Sequence, residues 1–459
     1  MTSPIKKAST VQEAQWACEL TPLPGGDERW VDFRKIRGTD VQERLKKLLI
    51  KPTSAKDKFA HITFGGPVRG CGKSTELLQV SEALKTNGFF VVYCQTNEEL
   101  DISDIEYSDL LLAASKVMVE EVGQQFRLDE KLLEQLVDWF AQITDIKIEE
   151  VKKEIQLRTS LGVALRIPLL ASFLTKLTAL IKGTEDHRKE IRKKVLKSPD
   201  QLIFSVNQIL DECYRAIRAS GNYEEILLIF DNLDRYSPDT VHKILIEQAD
   251  NLKRLRCNII YTVPLSLIHD PKGEAIPNVY ENVVLPMVKI RERGQSWNQI
   301  YREGVEKLIE VIQRRVEVNQ VFSHPGLVEK IAVKSGGSLR ELMRLVQEAC
   351  IEATGEKIDG AAVEKAILNV RSEFTRPMRQ AYLATLAEIH NNKRFDDSAT
   401  QWIMLFHRYA LEYNGDRWVD VHPLIYDLPE FQRELKRLAS GKKTRKRKLK
   451  DEAKETGRN

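Results

Sequence analysis

Residues 62–75 read ITFGGPVRGCGKST, an apolar run followed by a glycine-rich loop and a Lys-Ser-Thr triplet that opens a helical pattern. Glycines let backbone N–H groups turn inward around phosphate oxygens, a lysine reaches the terminal phosphates, and a serine hydroxyl can bind Mg²⁺. The helix that follows directs its positive dipole end at the same anion. The segment predicts a nucleotide site whose members are Gly66, Gly70, Cys71, Gly72, Lys73, Ser74 and Thr75.

The loop departs from the usual spacing at one position. The first glycine normally lies six residues before the lysine, where this chain has Pro67, and Gly65 and Gly66 lie further upstream. We therefore expect a loop that is one residue longer, with an intact second half that contacts the β-phosphate. The alternative is a glycine-rich turn with no ligand, but the flanking strand and helix patterns favour phosphate binding.

A second motif, EEILLIFDNLDRYSPD, covers residues 224–239. Its five consecutive apolar residues, 226–230, predict a central parallel strand that is buried on both faces. Asp231 would then lie at the carboxyl edge of the sheet beside the phosphate loop, where it could bind Mg²⁺ directly or through water. The alternative is an ordinary core strand with a capping aspartate.

Hydrolysis depends on residues that the motifs specify less well. Many ATPases place a glutamate directly after the magnesium-binding aspartate, and this chain has Asn232 there. Asp234 is the expected replacement base. Thr262, placed at the end of the strand CNIIYTVPLSL, either senses the γ-phosphate, positions water, or is a plain strand residue. Because no NKxD base-reading motif is present, ATP is favoured over GTP; binding without cleavage stays open.

The composition of the chain limits its number of domains, the state of its thiols and its location. The chain has 459 residues, room for two or three domains, with 42% hydrophobic and 30% charged residues as in soluble globular proteins. Its six cysteines lack CxxC spacing, which predicts reduced thiols, a cytoplasmic location and no structural zinc. The N-terminus lacks the apolar segment of a signal peptide. Residues 161–181 are apolar, but Arg166, Pro168 and Lys176 favour a buried strand and core helix over a membrane span, with a partner-binding surface as the intermediate alternative.

The order of the patterns predicts the architecture. Strand, loop, helix and strand in succession form a βαβ unit, and further strands contain Asp231, Thr262 and the segment ENVVLPMVKI. We expect an α/β nucleotide triphosphatase fold with a five-stranded parallel sheet. The predicted parts are a flexible N-terminus over 1–27, a core over 28–292 with a mainly helical insertion at about 105–220, a helical lid over 293–372, a small domain over 373–440 and a basic disordered tail over 441–459.

These motifs, together with SGGSLRELMRL, resemble the AAA+/STAND/KAP group of P-loop ATPases. The resemblance implies a lid arginine that reaches the γ-phosphate, and the matching position is Arg340, with Arg344 one turn further on. The alternative is a core helix with surface arginines. Ring-forming members carry an arginine before the fifth strand, but HDPKGEAIPNVYENVV has none. The resemblance thus favours a switch that acts on a protein effector or self-oligomer, often in antiphage defence.

The C-terminal pattern resembles a winged-helix domain. Two or three short helices precede YALEYNGDRWVDVHP, where Asn414 and Gly415 indicate a tight hairpin turn, and Trp418 is expected in the core. The candidate recognition helix, 396–408, includes Gln401 but is not strongly basic, so DNA binding and protein docking both stay open. The tail carries nine Lys/Arg against three Asp/Glu, which fits nucleic-acid binding or a solubilising tail.

The sequence therefore predicts a protein that binds ATP and Mg²⁺ and hydrolyses ATP. Its predicted catalytic residues are Lys73, Asp231, Asp234, Thr262 and Arg340, and its predicted magnesium ligands are Ser74 and Asp231. Two outputs follow. One is a nucleotide switch that controls a protein partner, and the other is a DNA-binding ATPase that uses the wing and the basic tail.

Overall fold

The computed structural model describes residues 6–51, 58–67, 70–101, 105–129, 131–132, 178, 181, 185–195, 199–269, 275–394, 399–413 and 418–440. The chain divides into two compact units. The first comprises Met1–Val41, Gly66–Thr75 and Leu285–Asn459, and the second comprises Gln42–Gly65 and Glu76–Val284. The predicted Asn414–Gly415 turn, the basic tail and nearly all of the apolar stretch 161–181 lie outside the described residues.

The second unit is built on one five-stranded sheet. Its strands are β1 (His61–Gly66), β2 (Phe89–Gln95), β3 (Glu225–Asp231), β4 (Asn258–Pro264) and β5 (Glu281–Val284). They follow the order β2-β3-β4-β1-β5, and the registers of β2 with β3, β3 with β4, and β1 with β5 are parallel. This arrangement confirms the predicted α/β class with a parallel sheet.

Helices join these strands and cover the sheet. They are α3 (Val41–Leu49), α4 (Lys73–Lys85), α5 (Thr96–Glu99), α6 (Tyr107–Gln125), α7 (Glu185–Val195), α8 (Pro199–Arg218), α9 (Pro238–Leu245), α10 (Ala249–Leu252), α11 (Leu265–His269) and α12 (Ala275–Val279). Strand β4 and the part of β3 after Glu225 are buried along their whole length, because apolar side chains point to both faces of a covered parallel sheet. Their side chains join those of α6 and α8 in one hydrophobic core.

The first unit is mainly helical. Its helices are α1 (Val11–Ala17), α2 (Arg34–Arg37), α13 (Arg302–Gln313), α14 (Val318–Val321), α15 (Gly326–Lys334), α16 (Leu339–Glu352), α17 (Gly360–Thr375), α18 (Tyr382–Asn392), α19 (Ala399–Phe406) and α20 (Pro423–Tyr426), and residues 429–440 are also helical. Strands β6 (Ala410–Tyr413) and β7 (Trp418–Val421) pair antiparallel after α19. Trp418 is buried, as expected for a core residue. The domain boundaries and the winged-helix assignment stay predictions.

Residues 6–27 differ from the flexible N-terminus that the sequence predicted. Helix α1 starts at a capping box, in which the Thr10 hydroxyl accepts the Glu13 N–H and the Glu13 carboxylate accepts the Thr10 N–H. The helix packs against α16, and Cys18 after it is fully buried. The expectation of flexibility over this segment was therefore wrong: the Pro- and Gly-containing stretch that suggested a linker follows a helix that is fixed by its cap and by tertiary packing.

Strand β5 is shorter than its sequence pattern suggested. It ends at Val284, two residues before Pro286, which has no N–H with which to continue a ladder. Strand β4, in contrast, continues two residues beyond Thr262, so this threonine lies inside the strand and not at its end. Among the described residues, no helix has the length and apolar character that crossing a bilayer requires.

Candidate nucleotide site

The glycine-rich loop leaves the end of β1 at Gly66 and enters α4 at Lys73. Gly70 and Gly72 have φ angles of +93° and +96°, a region that side chains other than glycine rarely adopt. A Cβ at Gly70 would lie 2.5 Å from Ser338 Oγ and 2.7 Å from the Cβ of Arg340. Both the backbone conformation and the surrounding space therefore require glycine, as a phosphate cradle does.

The side chain of Lys73 lies along the loop. It is 6% exposed, its Nζ donates to the carbonyl oxygen of Pro67, and it lies 3.7 Å from Cys71 Sγ. Cys71 is fully buried, and its Sγ approaches the Pro67 oxygen at 3.6 Å. The ammonium group of Lys73 is thus held at the loop backbone.

The two hydroxyl residues after Lys73 have different surroundings. Thr75 Oγ1 accepts a hydrogen bond of 3.2 Å from the backbone N–H of Leu23, in the N-terminal segment. Ser74 is partly exposed in the first turn of α4, a helix of 13 residues. Thr75 thus anchors the N-terminal segment, and the assignment of Ser74 as a magnesium ligand stays a prediction.

Helix α16 begins at the phosphate loop. Ser338 is its N-cap, and the backbone N–H of Leu339 donates to the carbonyl oxygen of Gly70 at 2.8 Å. Arg340, in the first turn, therefore starts beside the loop; that its side chain reaches the γ-phosphate stays a prediction. Arg344, one turn later, pairs with Glu373 at 2.5 Å. The structure thus brings Gly70 and Arg340 together.

Asp231 is the last residue of β3, as predicted, and is 2% exposed. Its Oδ2 accepts a hydrogen bond of 2.6 Å from the hydroxyl of Tyr93 on the neighbouring strand β2. Its Oδ1 accepts the N–H of Asn232 at 2.7 Å, and its backbone oxygen accepts the hydroxyl of Thr96 at 2.7 Å. These bonds fix the carboxylate at the carboxyl edge of the sheet.

The turn after Asp231 contains the other catalytic candidates. Asn232 has a φ of +68°, and residues 233–235 form a short 3₁₀ turn that includes Asp234, which is 3% exposed. The hydroxyl of Thr262 accepts the Leu233 N–H at 3.0 Å and donates to the Phe230 oxygen at 3.3 Å. Thr262 therefore holds the turn that carries Asp234.

Sequence reasoning missed two residues that contact the candidate site: Tyr93, whose hydroxyl donates to Asp231, and Arg37, whose guanidinium donates to the carbonyl oxygen of Cys71. Tyr93 lies in an apolar strand, opposite Ile229 in the register of β2 and β3, and Arg37 lies in a short, charged helix. Neither residue stands in a motif that signals a nucleotide site, so pattern analysis had no means of finding them.

The chain is similar to several solved structures. A Walker-type ATPase of Pyrococcus abyssi matches with 13% identity over 89% of this chain and 98% of that chain, with a TM-score of 0.38. The Orc1 protein of Aeropyrum pernix, solved in complex with DNA, matches with 11% identity over 92% and 95%, with a TM-score of 0.37. The RuvB Holliday junction branch migration motor of Thermotoga maritima matches with 13% identity over 89% and 97%, with a TM-score of 0.35.

No protein-family model and no curated protein matches the chain. The parallel sheet, the glycine-rich connection from β1 to α4 and the aspartate that ends β3 are features of this chain itself. The fold is that of an α/β P-loop nucleotide triphosphatase, as the resemblance to AAA+ P-loop ATPases implied.

Proposed function

We propose that the protein binds ATP with Mg²⁺, hydrolyses it, and uses its nucleotide state to control a partner. One observation carries this proposal: the loop with two left-handed glycines leads directly into α4 at Lys73 and Ser74. A conformation of this kind exposes backbone N–H groups to an anion at a helix N-terminus. Asp231, at the carboxyl end of a parallel strand, supports the magnesium part of the proposal.

Each residue has a proposed task. Lys73 and the loop N–H groups bind the phosphates, and Ser74 and Asp231 hold Mg²⁺, which supplies positive charge that stabilises the phosphoryl group during transfer. Asp234 orients or deprotonates the attacking water, while Thr262 positions its turn through the Leu233 N–H. Arg340 senses the γ-phosphate.

A switch also needs a connection from the lid to the C-terminal segment. Ser338 Oγ donates to the carboxylate of Glu341, which is 1% exposed. That carboxylate accepts two hydrogen bonds, of 2.8 and 3.0 Å, from the guanidinium of Arg408, which follows α19. This network supports a C-terminal segment that responds to the loop. An antiphage role is supported only by the resemblance to the AAA+/STAND/KAP group, and no individual residue of this chain points to it.

The first experiment measures phosphate release from ATP by the wild-type protein and by Lys73→Ala. Lys85→Ala is the control, because Lys85 ends the same helix and forms an exposed pair with Glu82. We expect Lys73→Ala to lose turnover by at least about 100-fold, since an electrostatic group that stabilises the transition state contributes about that much. Equal turnover in wild type and Lys73→Ala would contradict the proposal.

A second variant separates binding from hydrolysis. Asp234→Ala is expected to lower turnover by about 100-fold or more, while ATP affinity stays within a small factor, because a general base acts on the water and not on the phosphates. Loss of affinity together with turnover would assign Asp234 a structural role and would remove it from the catalytic residues.

The second candidate function is a DNA-binding ATPase. The dense basic block within 441–459 supports it, because basic clusters bind nucleic-acid phosphates. The surroundings of the candidate recognition helix support it less: Gln401 within that helix is 3% exposed, and Lys393, which caps the end of α18, is paired with Asp420. If this function is right, double-stranded DNA will stimulate turnover, and deletion of 441–459 will remove the stimulation. If DNA does not change the rate of turnover and the protein forms oligomers that depend on the nucleotide, the results favour the switch.

A further inference from the structure

We propose that Arg37 is a positioning residue of the phosphate loop: it holds the Cys71–Gly72 peptide so that the Gly72 N–H faces a bound phosphate. The inference rests on the proposed nucleotide function and adds a part of the site that lies outside the loop motif. Through Arg37, the N-terminal segment completes the site.

Arg37 is the last residue of α2, and Gly38, with a φ of +62°, ends that helix. Although arginine is seldom buried, Arg37 is 2% exposed. Its Nη2 donates to the carbonyl oxygen of Cys71, and its guanidinium lies 5.1 Å from the centre of the Phe33 ring. A Cβ at Gly72 would lie 3.8 Å from the same Nη2. The buried charge is thus directed at the backbone of the loop.

The preceding peptide is held in the same way. The Gly70 carbonyl oxygen accepts the Leu339 N–H at 2.8 Å, so two successive loop carbonyls, those of Gly70 and Cys71, have donors outside the loop. In a planar trans peptide the C=O and N–H groups point in opposite directions. The N–H groups of Cys71 and Gly72 therefore point away from Leu339 and Arg37. Successive N–H groups on one side of a backbone form a concave anion site.

The Cys71 carbonyl explains why a cation is needed here. If this peptide rotated, its oxygen would face the phosphate and would repel it, and the site would lose an N–H donor. A guanidinium forms a stronger hydrogen bond to a carbonyl than a neutral donor does, so Arg37 favours the binding orientation. Arg37 acts through the backbone and does not itself need to touch the nucleotide.

The test compares Arg37→Met with Arg34→Met by isothermal titration with ADP and with AMP. Arg34 lies in the same helix, is half exposed and pairs with Asp32 and Asp40, so its variant controls for loss of a charge from α2. We expect Arg37→Met to weaken ADP binding by about 10-fold and AMP binding by less than about 2-fold, because the cradle is proposed for the β-phosphate and one charge-assisted hydrogen bond has about that effect. Arg34→Met should bind both as the wild type does.

Arg37→Lys provides a second variant, since it keeps a cationic donor and should recover part of the preference for ADP over AMP. The inference is overturned if Arg37→Met binds ADP as the wild type does, or if ADP and AMP weaken equally, which is the result of a purely structural role. If Arg37→Met does not fold, Arg37→Gln, which keeps a neutral donor but removes the charge, takes its place, and a wild-type ratio of ADP to AMP affinity in that variant overturns the inference. A wild-type protein that binds neither nucleotide would refute the proposed function instead.

Discussion

Asn232 occupies the position at which many ATPases have a catalytic glutamate, and its backbone explains the difference. Its φ of +68° is in the left-handed region, where asparagine is several-fold enriched and glutamate is not. In this conformation its N–H reaches Asp231 Oδ1 at 2.7 Å. Asparagine therefore serves the geometry of the proposed magnesium ligand.

We expect Asn232→Glu to leave turnover at or below the wild-type level and to destabilise the protein by about 1 kcal/mol, because the left-handed conformation disfavours glutamate. Asn232→Gly, which accepts the same φ, should keep both turnover and stability near those of the wild type. Urea unfolding and phosphate release measure the two effects. A rise in turnover in Asn232→Glu would show that the position accepts a base.

Tyr93 holds the other oxygen of Asp231 through a hydrogen bond of 2.6 Å. Tyr93→Phe removes that bond and keeps the ring, so we expect the Mg²⁺ concentration for half-maximal nucleotide binding to rise about 5-fold, the effect of a hydrogen bond worth about 1 kcal/mol. Tyr223→Phe is the control, since the Tyr223 ring packs against Phe90 and Phe126. An unchanged Mg²⁺ dependence in Tyr93→Phe would remove Tyr93 from the magnesium site.

Among the helices, α16 combines two tasks. Its first backbone N–H binds the Gly70 oxygen of the loop, and its buried Glu341 binds Arg408. Burial raises the pKa of Glu341, and the Arg408 charge opposes it, so that the pKa lies below its usual value. Arg408 itself has a φ of +62°, a strained conformation for arginine that the surrounding structure maintains. The Glu341–Arg408 ion pair thus joins the first turn of the helix to the C-terminal segment.

Arg408→Met should lower the free energy of unfolding by about 3 to 5 kcal/mol, because it leaves the buried Glu341 carboxylate without its cation. Arg433→Met is the control, since Arg433 is exposed beside Glu430. The double variant Arg408→Met/Glu341→Gln should lose less than the single variant, because no buried charge remains. Urea unfolding measures all three. A double variant that is less stable than Arg408→Met would contradict a dominant role for the charge pair.

In the whole molecule, two buried histidines contribute to the way in which stability responds to acid. Burial lowers the pKa of His61, in the second unit, and of His422, in the first unit, to about 4 from the ordinary value of 6.5. The unfolded chain therefore binds protons that the folded chain excludes between pH 6.5 and 4. The contribution of these two histidines to stability is fully present above pH 6.5 and is lost as the pH falls from 6.5 to 4.

From these shifts we expect each histidine to cost about 2 kcal/mol of stability by pH 5. His422→Asn should reduce the pH dependence, because asparagine does not titrate. The variant should keep its fold, because the asparagine side chain can accept the Leu424 N–H that His422 Nδ1 accepts at 3.1 Å. His324→Asn is the control, since the exposed His324 accepts the Gly326 N–H in the same way. Urea unfolding at pH 7.5 and pH 5 gives the result. If the free energy of unfolding falls as much between pH 7.5 and pH 5 in His422→Asn as in the wild type, His422 is not a source of the pH dependence.

Several predictions from the sequence were confirmed because they depend on local patterns. The apolar run before Asp231 and the glycines before Lys73 specify a buried strand and a strand–loop–helix unit through neighbouring residues alone. The roles of Asp234, Thr262 and Arg340 stay predictions, since each depends on where a nucleotide binds. The expectation for residues 6–27 was wrong because helix α1 is stabilised by packing on α16, far away in sequence.

The sequence by itself determined the α/β class, the phosphate loop and the aspartate at the end of β3, because each is encoded within about 15 consecutive residues and follows from periodicity and turn chemistry. Tertiary structure alone decided which distant groups support them: Tyr93 at Asp231, Arg37 at the Cys71 carbonyl and Leu339 at the Gly70 carbonyl. A hydrogen bond between segments exists only when folding brings a particular donor to a particular acceptor, and no local pattern specifies that meeting.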